Sequence, residues 1–176
     1  MESNVNTTGY EVYKAFDNSA NTLWRSNTLY STSSYTGTLC TLYNCGSSCL
    51  KGDYLQITVP NAIRFLNITM IVASTGNQRP PSDFAIFGTN NVDEFDAIGA
   101  YYSLSTDWAQ ASTNIPYVFY YPGGHPKYYR IFRFVFMNAF QPSTGFNFIG
   151  IKEFTISGYA ISTSLAINLS ISNPSR

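Results

Sequence analysis

Charge is what this sequence has least of. Asp, Glu, Lys and Arg together make up 11% of its 176 residues, ten of each sign, against roughly 25% in an ordinary globular chain. The formal net charge is zero and the Lys and Arg residues are scattered. No basic stripe exists to follow a phosphate backbone, which argues against nucleic acid as a partner, and no polybasic patch exists for a membrane surface. The sequence has a single histidine, His125, set between Gly124 and Pro126. No nucleophile motif, phosphate-cradling glycine loop or His-Glu metal helix accompanies it, so the sequence reads as non-enzymatic. Long apolar runs are missing as well, which leaves no candidate membrane span. Residues 1–14 lack the charged-then-apolar order of a signal peptide, and use without Sec-type export is expected. Cysteine is confined to Cys40, Cys45 and Cys49 in one stretch. Their spacing matches zinc poorly; free thiols are expected, with a disulfide between two of the three as the alternative.

What the sequence has in quantity is aromatic: 14 Tyr and 13 Phe, set among frequent Ser and Thr. Aromatic and β-branched residues fit pleated, half-buried surfaces, and no span shows helical periodicity. The length suits one domain with a real core. Residues 1–9 form a polar lead-in. From Asp53 the strand signal is strong: Leu55, Ile57 and Val59 alternate with polar neighbours, Pro60-Asn61 reads as a turn, and Leu66, Ile68, Met70 and Val72 share one parity over 63–73. Phe84–Gly88 is a short strand, followed by a turn whose Asp93, Glu94 and Asp96 read as a solvated acidic cluster. In 127–137, Tyr129, Ile131 and Val135 fall on one face and Phe132, Phe134 and Phe136 on the other. That pattern predicts a strand covered on both sides, with Arg130 and Arg133 needing water or partners. Phe148–Ser157 gives the last strand of the domain. Residues 26–52 are rich in Ser, Thr, Tyr, Gly and Cys without periodicity, long for a plain connection and therefore a candidate binding loop.

The densest chemistry lies in Ala15-Phe16-Asp17-Asn18-Ser19-Ala20-Asn21-Thr22-Leu23-Trp24. Asp, Asn and Ser tolerate tight turns by bonding nearby backbone, and Trp24 is too large and apolar to leave in water. The stretch is either a surface turn anchored by one aromatic or a loop of oxygens around a hard cation.

Five pieces in order resemble the discoidin family, the coagulation factor 5/8 type C domain with a galactose-binding-like fold. They are Ala15-Phe16-Asp17 with Thr22 and Trp24, Gly52-Asp53-Tyr54-Leu55-Gln56-Ile57, Pro81-Ser82-Asp83-Phe84-Ala85-Ile86-Phe87-Gly88, Lys127-Tyr128-Tyr129-Arg130-Ile131, and Ile149-Gly150-Ile151-Lys152-Glu153-Phe154 with Gly158. The resemblance covers residues 10–158. It implies an all-β jelly-roll sandwich whose loops gather at one end as a binding rim. It also implies a non-enzymatic role and, in members that bind calcium, ligands that map to Ala15, Asp17, Thr22 and Glu153. Asn18-Ser19 stands where the family has a Gly and a second Asp or Asn, Phe95 stands where a Trp is common, and the two Cys that tie the domain's ends are missing.

Two roles follow as expectations. The preferred one is a structural part of a larger assembly, a virion or minor capsid component in contact with other subunits. The alternative is a glycan-binding module with Tyr30, Tyr35, Arg79, Trp108, His125 and Phe140 on its rim: aromatics to stack on a sugar face, Arg and His to bond hydroxyls. The preference rests on residues 159–176, read as an extended tail. Ile161, Leu165, Ile167, Leu169 and Ile171 share one parity there, which suits addition as a strand to a partner's sheet.

Overall fold

The computed structural model describes residues 1–3, 8–19, 21–26, 29–31, 34–38, 40–42, 49–72, 80–91, 94–101, 104, 116–140 and 148–161. A 3-10 turn at Val12–Ala15 is the one helical element among them. The strands are β1 Glu2–Ser3, β2 Trp24–Arg25, β3 Tyr30–Ser31, β4 Ser34–Tyr35, β5 Cys40–Leu42, β6 Leu50–Lys51, β7 Asp53–Val72, β8 Pro81–Asn91, β9 Glu94–Tyr101, β10 Pro116–Tyr120, β11 Tyr128–Ala139 and β12 Gly150–Ala160. All their pairings are antiparallel.

The long strand β7 serves both layers of a sandwich. Its first half, Asp53–Thr58, pairs with Ile131–Phe136 of β11. β11 in turn pairs with β8, and β8 with β9. The second half pairs with β10 on one side and β12 on the other, with β2 beyond β12. Pro60-Asn61, which reads as a turn in sequence, lies inside β7 at the change of layer. Proline donates no ladder hydrogen bond and is confined to edges and irregularities in sheets. Here it falls where the β11 partner register shifts, between Thr58↔Ile131 and Ile63↔Tyr129.

The core between the layers is mostly aromatic. Phe134 meets Phe154 at 4.5 Å between ring centroids, Phe84 meets Phe119 at 5.1 Å, and Phe65 meets Phe132 at 6.0 Å. Edge-on and tilted contacts of this kind add to area burial by roughly 0.5–1.5 kcal/mol each. Phe65 is buried although its parity opposes Ile68, Met70 and Val72. A register shift between Ser157 and Gly158 of the neighbouring β12 changes the alternation there.

The two-faced pattern of β11 holds from Phe132 to Phe136 but not at Tyr129, which joins Phe132, Phe134 and Phe136 in the core because the register against β7 shifts between Tyr129 and Ile131. Phe132, Phe134 and Phe136 face the core, while Val135 packs with Ala85 and Phe87 on the outer side under Leu50, Tyr54, Phe95 and Met137. Arg133 is held on that outer face between the rings of Phe95 (4.3 Å) and Tyr54 (4.6 Å). Its Nε donates to Gln56 Oε1 at 2.9 Å and its guanidinium to Thr41 O at 3.0 Å. The β5–β6 hairpin is closed by a Cys40–Cys49 disulfide with Cα atoms 5.5 Å apart. This corrects the expectation of free thiols: pairing of Cys40 with Lys51 brings Cys49 within bridging distance. Cys45 lies outside the described residues.

Candidate functional site

The aromatic rim of the sequence reading divides between two ends of the sandwich. Tyr30 and Tyr35 face each other across the β3–β4 hairpin with rings 5.4 Å apart. That hairpin reaches the C-terminal end of β11 through Ser34↔Asn138. Phe140 follows directly, its N–H donating to Pro80 O at 2.8 Å. Tyr35 and Phe140 are half-buried, but Tyr30 is 1% exposed. Its hydroxyl donates to Phe136 O at 3.0 Å and accepts from Asp53 N–H at 3.4 Å. Burial first of all, then the nearby Asp53 carboxylate, keeps that phenol protonated well above the ordinary tyrosine range. Tyr30 therefore supports the rim from beneath and has no face for a ligand. Arg79 and Trp108 lie outside the described residues.

His125 does not join this group. It lies before β11, at the strand's other end, buried with its ring 5.4 Å from Tyr121 and 5.3 Å from Tyr129. Its N–H donates to Phe65 O at 2.7 Å, and its Nδ1 accepts from Lys127 N–H at 3.3 Å.

The first turn folds as a compact oxygen-lined loop. Ala15 is fully buried at the end of the 3-10 turn, and Phe16 packs edge-on against Phe154 at 5.8 Å. Trp24 is fully buried against Phe136 at 5.7 Å, as its size requires. Asn18 takes φ 57°, a left-handed conformation that Asn tolerates better than most residues. The turn thereby directs Ser19 N–H to Asp17 Oδ1 at 3.0 Å and also to Glu153 Oε1. Thr22 Oγ1 lies 2.8 Å from both Asp17 oxygens and 2.9 Å from Ser19 O. Asp17 and Glu153, 136 positions apart, thus share one backbone donor. Burial, opposed by the Ser19 N–H and reinforced by Asp17, raises the Glu153 pKa. Among the described residues no third carboxylate, imidazole or thiol completes a cluster. The donors present are all oxygens, the kind a hard cation such as calcium takes.

No protein-family model and no curated protein sequence matches this chain. Solved structures do. The family 32 carbohydrate-binding module of C. perfringens NanJ, in complex with galactose, aligns with TM-score 0.55 at 13% identity over 88% of this chain and 90% of that one. An F5/8 type C domain from Bacteroides fragilis aligns with TM-score 0.56 at 13% identity over 87% and 83%. A chitosan-binding module from a Paenibacillus sp. IK-5 chitosanase/glucanase, in complex with chitotriose, aligns with TM-score 0.55 at 12% identity over 89% and 94%. The fold is the discoidin-like β-sandwich.

At the end of this discoidin-like sandwich remote from Tyr35 and Phe140, a cleft of about 540 Å³ opens between the β8–β9 turn and the start of β11. Asp96 on β9 accepts from Lys127 Nζ at 2.9 Å and from Tyr129 OH at 2.7 Å. Those two bonds, the lysine's foremost, hold the Asp96 carboxyl below its usual range. Burial and the bond to Asp96 push the Tyr129 phenol up. Asn90 spans the gap with its whole amide, donating to Tyr128 O at 2.8 Å and accepting from Arg130 N–H at 3.0 Å. Gly88 leaves room for the Tyr129 ring, which a Cβ there would strike. Of the acids read from sequence as a solvated turn, Glu94 and Asp96 line this cleft, and Asp93 lies outside the described residues. Nothing in the local pattern of 89–96 points to partners some thirty to forty residues later.

The tail residues Leu165, Ile167, Leu169 and Ile171 lie outside the described residues. Ile161, where β12 has just ended, is 52% exposed. β12 runs to Ala160, two residues beyond the expected domain end. The N-terminal lead-in contributes β1, which pairs with Leu55 and Gln56.

Proposed function

We propose that this protein is a non-catalytic carbohydrate-binding module whose sugar site lies at the Tyr35–Phe140 end of the sandwich. The reading is carried by the shared fold: two of the compared structures are carbohydrate-binding modules with a sugar bound. Tyr35 and Phe140 offer half-buried aromatic surface there, the type of surface on which a sugar's C–H face packs while its hydroxyls find polar groups. Arg79 and Trp108 belong to the same proposal on sequence grounds. Asp17, Thr22 and Glu153, with backbone oxygen near Ala15, form a structural calcium site in this reading. The cation relieves the repulsion between two carboxylates that now share a single N–H. The virion-component reading gives way to this one, because the neighbours described above include carbohydrate-binding modules with a sugar bound. Its specific support, the alternating tail, bears on assembly rather than on the sandwich. A glycan array probed with the whole chain is the test: selective binding to a set of related sugars is expected, and silence across the array overturns the proposal.

A further inference from the structure

The geometry points to a second sugar-binding site, in the cleft between the β8–β9 turn and the start of β11, selective for a sugar residue without negative charge. The ligand class rests on the carbohydrate-module reading; the place and the charge preference rest on the cleft itself. At about 540 Å³ it falls within the range of roughly 300–1,000 Å³ typical of small-molecule sites. Its walls belong to segments distant in sequence and are tied together before any ligand arrives. Asn90 clamps the backbone on either side of Tyr129, and Asp96 holds both Lys127 and the Tyr129 hydroxyl. A solvated turn needs none of these cross-links. A preorganised site uses them to avoid the cost of ordering its walls on binding.

The groups left over suit hydroxyls. The exposed Glu94 carboxylate has no partner among the described residues, and neither does the Tyr128 phenol. Lys127 gives only part of its three-donor capacity to Asp96. A free carboxylate accepting from sugar hydroxyls makes charge-assisted bonds, stronger than neutral ones. An aromatic row adjoins the cleft. Tyr128, Arg64 and Tyr159 are opposite one another on β11, β7 and β12, so their side chains leave the same face. Tyr128 is 36% and Tyr159 50% exposed, and Arg64 lies over the Tyr159 ring at 5.0 Å. The cleft therefore offers a hydroxyl-bonding wall beside aromatic surface. Within the cleft itself Asp96 is paired with Lys127 and Glu94 is left as the unbalanced charge, while Arg64 stands in the adjoining row over the Tyr159 ring. A sugar carboxylate placed at the Glu94 wall is therefore disfavoured.

Titration of the isotopically labelled full chain with galactose, glucosamine and glucuronate, followed by two-dimensional amide NMR, tests this. Galactose or glucosamine should move the resonances of 89–91, 94–96 and 127–129, and glucuronate should not. Glu94→Gln, at an exposed position, should weaken that response by about tenfold and leave any response around Tyr35 and Phe140 unchanged. Shifts around Tyr35 and Phe140 alone overturn the second site and keep the carbohydrate-module reading. Shifts in the cleft alone support the second site and overturn the rim placement. Equal response to glucuronate, or an unaffected Glu94→Gln variant, also overturns the inference, and no shift anywhere with any of the three sugars overturns both readings.

Discussion

Replacing Tyr30 with Phe separates support of the rim from contact with a ligand. The change removes a single oxygen from a ring that is 1% exposed and leaves its packing on Tyr35 intact. Lost are the bond to Phe136 O at 3.0 Å, the longer one from Asp53 N–H at 3.4 Å and the hydroxyl's interaction with the Asp53 carboxylate. A buried hydrogen bond contributes about 1 kcal/mol net, and a partner left dry raises the cost to about 1–3 kcal/mol. The second bond is long, so about 1–2 kcal/mol is expected. For a chain of this size each kcal/mol moves the melting temperature by about 2–4 °C, giving a fall of about 2–8 °C. Calorimetry and sugar affinity should be measured on the same preparations: the melt should fall and the affinity should hold. A weakened affinity with an unchanged melt would show that the hydroxyl reaches ligand, and the assignment of Tyr30 to the support would be refuted.

Glu153→Gln should stabilise the protein at neutral pH in the absence of calcium. The folded-state pKa of Glu153 is raised, so its contribution is full below the ordinary glutamate value and is lost as pH rises through the folded value. Melts at pH 7 and pH 4 should show the variant's advantage only at the higher pH, and an equal gap at both would refute the linkage. Calcium at a hundredfold excess over its Kd should stabilise the wild type by about 2.7 kcal/mol and the variant little, which chelation would reverse; an unchanged melt on chelation removes the cation. Gly88→Ala should cost about 1–3 kcal/mol through overpacking on Tyr129 and Ile98. It should also abolish the cleft response to sugar while sparing the Tyr35–Phe140 end, as the two NMR regions would report separately. Reduction of Cys40–Cys49, which closes a loop of separation nine, should cost about 2.5 kcal/mol on the chain-entropy estimate, read as a melt lower by about 5–10 °C; no change would place the hairpin's order in its packing alone.

The strands with strong alternation were legible because their burial is set locally. Phe132, Phe134 and Phe136 must share a side of any strand that contains them, and the structure buries all three. Trp24 was legible for the same reason, and the Asp17–Glu153 meeting followed from the family resemblance. What stayed hidden depends on register between distant strands. The hairpins β3–β4 and β5–β6 are built from two- and three-residue strands, too short for any period to emerge among Ser and Thr. Tyr30 reads as a rim aromatic because its sequence neighbourhood is polar; the carbonyl that receives its hydroxyl lies 106 residues later. The cleft was invisible because Asp96 looks like any turn acid until Lys127 and Tyr129 arrive beside it.

The placement of β7 in both layers has a consequence for how this protein is made. Residues 55–56 take their partner from the first three residues, and residues 63–72 take theirs from β12, out to Ala160. On a ribosome the twenty-residue strand emerges well before β10, β11 and β12 exist to flank it. Until then it offers open hydrogen-bonding edges and the apolar side chains of Leu55, Phe65, Ile68 and Met70 to whatever is nearby, the condition under which nascent β chains associate wrongly. Pro60, which interrupts the donor row midway along the strand, limits how long a foreign strand can pair there. Completion waits for β12, so synthesis halted before Gly150 would leave the second half of β7 and β2 without the strand that joins them, a substrate for chaperones and proteases rather than a finished module.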